Sequence, residues 1–127
     1  MIRVVRLGSP RTGNEGLRLG TVRRPPRGVA KADIARHNYY DVWLPELASG
    51  AELVKMAQSA TTAAQWKQFL KRYRAEMAKP PASRILDLLV AMSKESGFAV
   101  GCYCEDEARC HRSVLRELLV ERGAEVR

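Results

Sequence analysis

The sequence predicts a small α/β domain: a mainly parallel sheet of about four strands flanked by helices in three layers. Two observations carry this. Short β-branched or apolar runs alternate with longer stretches of helical periodicity, and strands separated by long helical crossovers pair in parallel. The length of 127 residues is a third constraint, because it suffices for one core but not two. A single domain over residues 1–127 is therefore expected. Hydrophobic residues at 46% and charged residues at 28% are the balance of a folded globular chain.

Ile2 to Leu7 alternates apolar with basic residues and reads as the first strand. It breaks at Gly8-Ser9-Pro10, and loop chemistry runs to Gly16. Gly8 and Gly13 have the glycine spacing of a phosphate-binding loop, but Asn14-Glu15 stand where that motif needs Lys and Ser/Thr, so a nucleoside triphosphate site of that type is rejected. Leu17 to Val22 is a second strand, closed by Arg23-Arg24-Pro25-Pro26-Arg27-Gly28, where paired prolines forbid helix. A short helical piece near Ala30 to Arg36 precedes the aromatic, non-periodic stretch His37 to Pro45.

Ala51 to Gln58 reads as a weak helix. A stronger one is capped by Thr62 and carries Trp66, Phe69, Leu70, Tyr73 and Met77 on one stripe, with Lys67, Lys71 and Arg74 on another. Pro80-Pro81 ends it. A third helix starts near Ser83 with Ile85, Leu88, Leu89 and Met92 facing inward and Gly97 closing it. Phe98 to Tyr103 is a buried strand, and Arg109 to Glu121 a helix turning Val114, Leu115, Leu118 and Leu119 to the core. Glu125 to Arg127 begins a last strand.

The charged opening residues leave no room for a secretory apolar run, and no run approaches the ~18 residues of a membrane span, so a cytoplasmic protein without a membrane partner is expected. The formal net charge of +8 is concentrated: residues 1–36 hold eight Arg and one Lys against Glu15 and Asp33, whereas residues 81–127 are close to neutral. Arg3, Arg6, Arg11, Arg18, Arg23, Arg24 and Arg27 are thus the cations an anionic partner meets first, and the guanidinium fork matches phosphate or carboxylate oxygens two at a time.

All three cysteines and one of two histidines fall in the ten residues from Cys102 through Cys104 and Cys110 to His111, where the chain leaves a strand and enters a helix. Ligands of open α/β sheets gather at that kind of junction. Several chemistries fit. A thiolate at Cys104 or Cys110 would gain from the helix N-terminus and from Arg112 or His111. Cys104, Cys110 and His111 could be three ligands of a metal, although the paired spacing of structural zinc sites is missing. A Cys104–Cys110 disulfide is sterically conceivable, but a reducing compartment argues against it. Plain packing also fits, because Cys110 and His111 precede Val114 and Leu115 by one helical turn. The acidic run Glu105-Asp106-Glu107 reads as a solvated turn with Asp106 as cap. Arg112, in the first helical turn, opposes the helix dipole unless an acid or bound anion compensates it.

Val22 to Gly28, Trp43-Leu44-Pro45-Glu46-Leu47, Trp66-Lys67-Gln68-Phe69, Arg72-Tyr73-Arg74-Ala75-Glu76-Met77 and Cys110-His111-Arg112, in this order, resemble the YeaO-like proteins, domain of unknown function 488. The resemblance implies a small α/β protein in which the recurrent polar positions correspond to Arg23, to Pro26-Arg27-Gly28 and to Cys110-His111-Arg112. It implies no activity. The chain departs from the pattern at Pro25, where relatives commonly carry Trp before Pro-Arg-Gly.

The leading expectation is a phosphorylated or otherwise anionic small molecule bound between the Arg23/Arg27 segment and the Cys104 to Arg112 junction. Arg23, Arg27 and Arg112 would supply charge-assisted hydrogen bonds, and His111, Cys104 or Cys110 any proton transfer or nucleophilic work. No cofactor or metal is expected on this reading, and no oligomeric state is assigned. A nucleic-acid partner, held by the N-terminal cations with the Lys67/Lys71/Arg74 stripe, is the alternative. A thiol-redox or zinc-binding role is the third.

Overall fold

The computed structural model describes residues 1–104 and 110–127. Its sheet has four strands, β1 (Ile2–Arg6), β2 (Leu17–Gly20), β3 (Val42–Trp43) and β4 (Phe98–Cys102), in the order β1-β4-β2-β3. All pairings are parallel. A parallel bridge from Val126 to Ile2 adds the expected last strand as a single contact outside β1.

Register assigns the two faces of the sheet. Ile2 pairs with Phe98, Val4 with Val100, and Leu17 and Leu19 with the same two β4 residues, so these side chains share one face. Against it pack α1 (Ala51–Ser59), α2 (Ala63–Met77), α3 (Ala82–Ser93) and α4 (His111–Glu121). The main core joins Ile2, Leu19, Phe98 and Val100 to Leu53, Phe69, Tyr73, Leu86, Leu89, Leu115 and Leu119, which come from all four helices. Burial of this order, at ~25 cal/mol per Å² of apolar surface, is the principal force holding helices to sheet.

Helix α2 begins as its sequence requires. The Thr62 side chain accepts from the Gln65 backbone N–H, and the Gln65 side chain accepts from the Thr62 N–H, a reciprocal cap. Its buried residues, Phe69, Tyr73 and Met77, are those of the apolar stripe. In α3 the inward face differs from the expected one: Ala82, Leu86, Leu89, Val90 and Ser93 are buried, while Leu88 is 57% and Met92 37% exposed. Apolar residues occupy both stripes of this helix, so periodicity alone leaves its rotation open, and packing against α2 and α4 decides it. Helix α4 buries the four apolar residues anticipated and starts at His111, with Cys110 as its N-cap; the earlier start at Arg109 and the acidic turn with Asp106 lie outside the described residues.

The opposite face carries Arg3, Val5, Arg18, Gly20, Ala99 and Gly101. No α-helix covers it among the described residues. The third layer is instead irregular chain with a 3-10 turn at Lys31–Asp33, packing Leu7, Val22, Ile34 and Tyr40 into a second apolar cluster with Cys102 and Cys110. Gly20 and Gly101 let this cover approach: a Cβ on Gly20 would enter the Tyr40 ring, and one on Gly101 would lie 2.9 Å from the Leu7 side chain. The edge strand β3 falls in the stretch read as non-periodic, because two residues are too short for alternation to register.

Candidate functional site at the carboxyl edge of the sheet

Because every strand runs the same way, the chain leaves β1, β2, β3 and β4 along one edge, and the Arg23 segment and the cysteines all emerge there. Cys102 is the last residue of β4 and Cys110 caps α4 in extended conformation (φ −137°, ψ 155°). Both are buried, and their sulfurs stand 2.7 Å apart as free thiols. Cys104, two residues beyond Cys102, is exposed. It has left the strand, so strand alternation no longer governs where its side chain points.

His111 opens α4 and reaches across to β2's continuation. Its Nε2 is 2.9 Å from the Thr21 carbonyl oxygen and 3.3 Å from Thr21 Oγ1. A carbonyl can only accept, so Nε2 carries the proton and Nδ1 keeps its lone pair. That lone pair is 3.7 Å from Cys110 Sγ. Burial lowers the His111 pKa and so holds the ring neutral, outweighing the Thr21 carbonyl, which favours the imidazolium. The ring leans on Tyr73 at 5.3 Å, and Thr21 itself is fixed by its hydroxyl donating to the Gly101 carbonyl at 2.9 Å.

Arg112 is 3% exposed. One terminal nitrogen donates to the Cys104 carbonyl at 2.6 Å, while its buried Nε has no hydrogen-bond partner among the described residues. A buried guanidinium N–H left unpaired costs free energy, all the more beside the unsatisfied N–H groups of a helix start. The first turn of α4 holds no acidic residue to offset it.

The thiols are mutually perturbed. Cys104 is held well below the ordinary thiol range, first by hydrogen bonding with Cys102 and Cys110 and then by the charge of the Arg112 guanidinium. Cys102 is pushed up by the hydrogen bonds to Cys104 and Cys110 and by burial. For Cys110 the bond to Cys102 favours the thiolate, but the bond to Cys104 and burial prevail and raise it.

The donor atoms of Cys102, Cys110 and His111 lie within 4.8 Å of one another, close enough to consider a metal. The spacing does not fit zinc. Two sulfurs at ~2.3 Å from a tetrahedral ion are roughly 3.8 Å apart, a full ångström more than the 2.7 Å between Cys102 and Cys110. The set differs too from Cys104, Cys110 and His111, the ligands the spacing suggested.

Arg23, Arg24 and Arg27 are exposed and their guanidinium groups have no partner among the described residues. Arg23 and Arg24 line an open cleft of about 550 Å³ with Trp43, Ser49, Gly50 and Glu76. Trp43 is oriented by its Nε1 donating to the Val22 carbonyl at 2.7 Å. The segment is tied to the thiol junction by His111 on Thr21 and by the Tyr103 hydroxyl, which donates to the Arg24 carbonyl at 2.9 Å. The tie runs through backbone: among the described residues no bond joins the Arg23 or Arg27 side chain to Arg112 or to a cysteine.

Other cations are spent internally. Arg18, expected to face a partner, is 1% exposed and donates to the Glu15 carboxylate at 2.9 Å and to the carbonyls of Ser9, Pro10 and Asn38. Its place on the inner side of a covered sheet explains the difference. Arg11 pairs with Asp41 at 2.8 Å, and Arg74 with Glu117 and Glu121 of α4 at 2.6 and 3.1 Å. Sequence reasoning missed Cys102 as the neighbour of Cys110 and missed Thr21 and Tyr103 as ties. A Cys-x-Cys at a strand's end was the available signal for the first; the other two depend on which strands adjoin β4.

These features define a parallel α/β domain whose edge combines a two-thiol, one-imidazole cluster with an exposed third cysteine, a buried arginine and an exposed arginine segment. The family described as the active DUF488-N3 subclade matches residues 2–123, and the chain belongs to that family, as the YeaO-like resemblance implied. No curated protein and no solved structure matches it. No helix among the described residues is long and apolar enough to cross a membrane.

Proposed function

We propose that the protein binds a phosphorylated or otherwise anionic small molecule at the carboxyl edge of its sheet, between the Arg23–Arg27 segment and the start of α4. The observation that carries this reading is Arg112: a nearly fully buried guanidinium at a helix N-terminus, with its Nε unpaired. An anion there would be met by guanidinium and by backbone N–H groups together. Exposed, unpaired Arg23, Arg24 and Arg27 on a segment fastened to the same junction add capture charge. A compact anion is favoured over a polyanion, because Arg18, Arg11 and Arg74, cations that an extended nucleic-acid face would recruit, already bind carboxylates of the chain.

Titration calorimetry with inorganic phosphate and pyrophosphate tests this. Saturable binding is expected, weakened about tenfold or more in Arg23→Gln/Arg27→Gln and in Arg112→Met, since a charge-assisted hydrogen bond contributes ~1.5–3 kcal/mol. The exposed pair should leave the unfolding temperature unchanged, which keeps the test independent of folding. No saturable binding by the wild type, or equal affinity in the double variant, overturns the reading.

A further inference from the structure

We propose that the cleft lined by Arg23, Arg24 and Trp43 is a mononucleotide site, with the base stacked on Trp43, the phosphate on the two arginines and the ribose hydroxyls on Glu76. The inference rests on the anion reading only for phosphate as the group that Arg23 and Arg24 meet, and it uses neither Arg112 nor any cysteine. Arg23 and Arg24 follow the end of β2, and Trp43 is the last residue of the neighbouring β3. Ligands of parallel sheets collect beyond strand ends of this kind, and a cleft of about 550 Å³ is of the size that holds a small molecule.

Trp43 carries the argument. Its only polar atom, Nε1, is spent on the Val22 carbonyl at 2.7 Å, so the indole is held in place and what it presents to the cleft is π surface. It is 41% exposed, and no other ring packs on it among the described residues, whereas Trp66 is stacked on Phe69 at 4.9 Å. A fixed, uncovered indole is a stacking platform for any base, because every base has a π face.

The charges of the cleft fit the rest of a nucleotide. Glu76 lines the cleft with the exposed Arg23 and Arg24, yet no ion pair joins it to either arginine among the described residues. Opposite charges held apart across one cleft suit a ligand that carries both an anion and hydrogen-bond donors. A bare phosphate would leave Glu76 and Trp43 unmet, and a neutral aromatic would leave the guanidinium groups unmet. A nucleoside monophosphate answers all three: its phosphate accepts from the guanidinium forks, its ribose hydroxyls donate to a carboxylate that only accepts, and its base covers the indole. The carboxylate is reachable because Gly50 faces it, where a Cβ would lie 3.2 Å from Glu76 Oε1. Ser49, 5% exposed, adds to the same cleft a hydroxyl without a partner among the described residues.

The test is titration calorimetry of the full chain with adenosine 5′-monophosphate (AMP), ribose 5-phosphate and inorganic phosphate, alongside tryptophan fluorescence. AMP is expected to bind at least about tenfold more tightly than ribose 5-phosphate, the scale of one base–aromatic stack, and to quench the emission. Trp43→Leu should abolish that preference and leave ribose 5-phosphate binding in place, whereas Trp43→Phe, which keeps a ring, should retain most of it. Arg112→Met should leave the preference unchanged. Wild-type protein that binds AMP no more tightly than ribose 5-phosphate overturns the inference, as does a Trp43→Leu variant that keeps the preference. Tighter, steeply salt-dependent binding of a short oligodeoxyadenylate would assign the ring to nucleic acid and overturn it too. If inorganic phosphate and pyrophosphate fail to bind while AMP binds through Trp43, the Arg112 site falls and this one stands, so the two readings fail separately.

Discussion

His111 and the two buried arginines show how single side chains divide between holding the fold and serving a site. Arg18 has every N–H engaged by Glu15, Ser9, Pro10 and Asn38, the condition of a structural cation. Arg112 has one engaged with the Cys104 carbonyl and Nε without a partner among the described residues, and only the second pattern asks for a ligand. The sequence distinguished Arg112 by its position in a first helical turn, but gave Arg18 the wrong role, because burial depends on which face of β2 is covered. His111 supplies a pH signature. The unfolded chain takes up its proton near 6.5, the folded chain only at lower pH, so below 6.5 the unfolded state binds more protons and stability falls with acidification. Urea unfolding between pH 7.5 and 5 should show this slope in the wild type and a flat profile, at lower overall stability, in His111→Gln.

At the scale of elements, the parts fixed by local chemistry are the ones the sequence announces. Thr62 and Gln65 cap α2 through neighbouring backbone, and the stripe Phe69, Tyr73, Met77 follows from the helical period. Thr62→Ala should therefore cost about 1 kcal/mol, read as a drop of roughly 3–5 °C in unfolding temperature by calorimetry. Elements defined by partners are less legible. The rotation of α3 is set by α2 and α4, which no period within Ala82–Ser93 reveals. Strand β3 exists only because Val42 and Trp43 lie beside Leu19 and Gly20. The cysteine cluster shares both characters: its Cys-x-Cys and Cys-His pieces are local, but the approach of Cys102 to Cys110 needs the whole β4-to-α4 crossing.

At the scale of the molecule, the layers rest on different forces. The helices are held by a continuous apolar core, whereas the irregular cover adds to a smaller apolar cluster the buried Arg18, which reaches Ser9, Pro10, Glu15 and Asn38 at once. Arg18→Met leaves the Glu15 carboxylate, 3% exposed, without its counter-ion, and breaking a buried pair in this way costs about 3–5 kcal/mol. Denaturant midpoints should register that loss. Amide hydrogen exchange should accelerate first in residues 8–16 and 37–41 while α2 and α4 keep their protection, and Glu15→Gln combined with Arg18→Met should recover part of the stability. The all-parallel sheet described above has a further consequence for variation. The described cysteines, His111, Arg112 and the Arg23–Arg27 segment sit along one rim, and the main apolar core lies on the helix side of the sheet. Substitutions at the exposed part of the rim are thereby insulated from those in the core: a library confined to residues 23–27 with Trp43, Glu46 and Cys104 would sample new specificities at small cost to folding, leaving the same scaffold open to divergent chemistry.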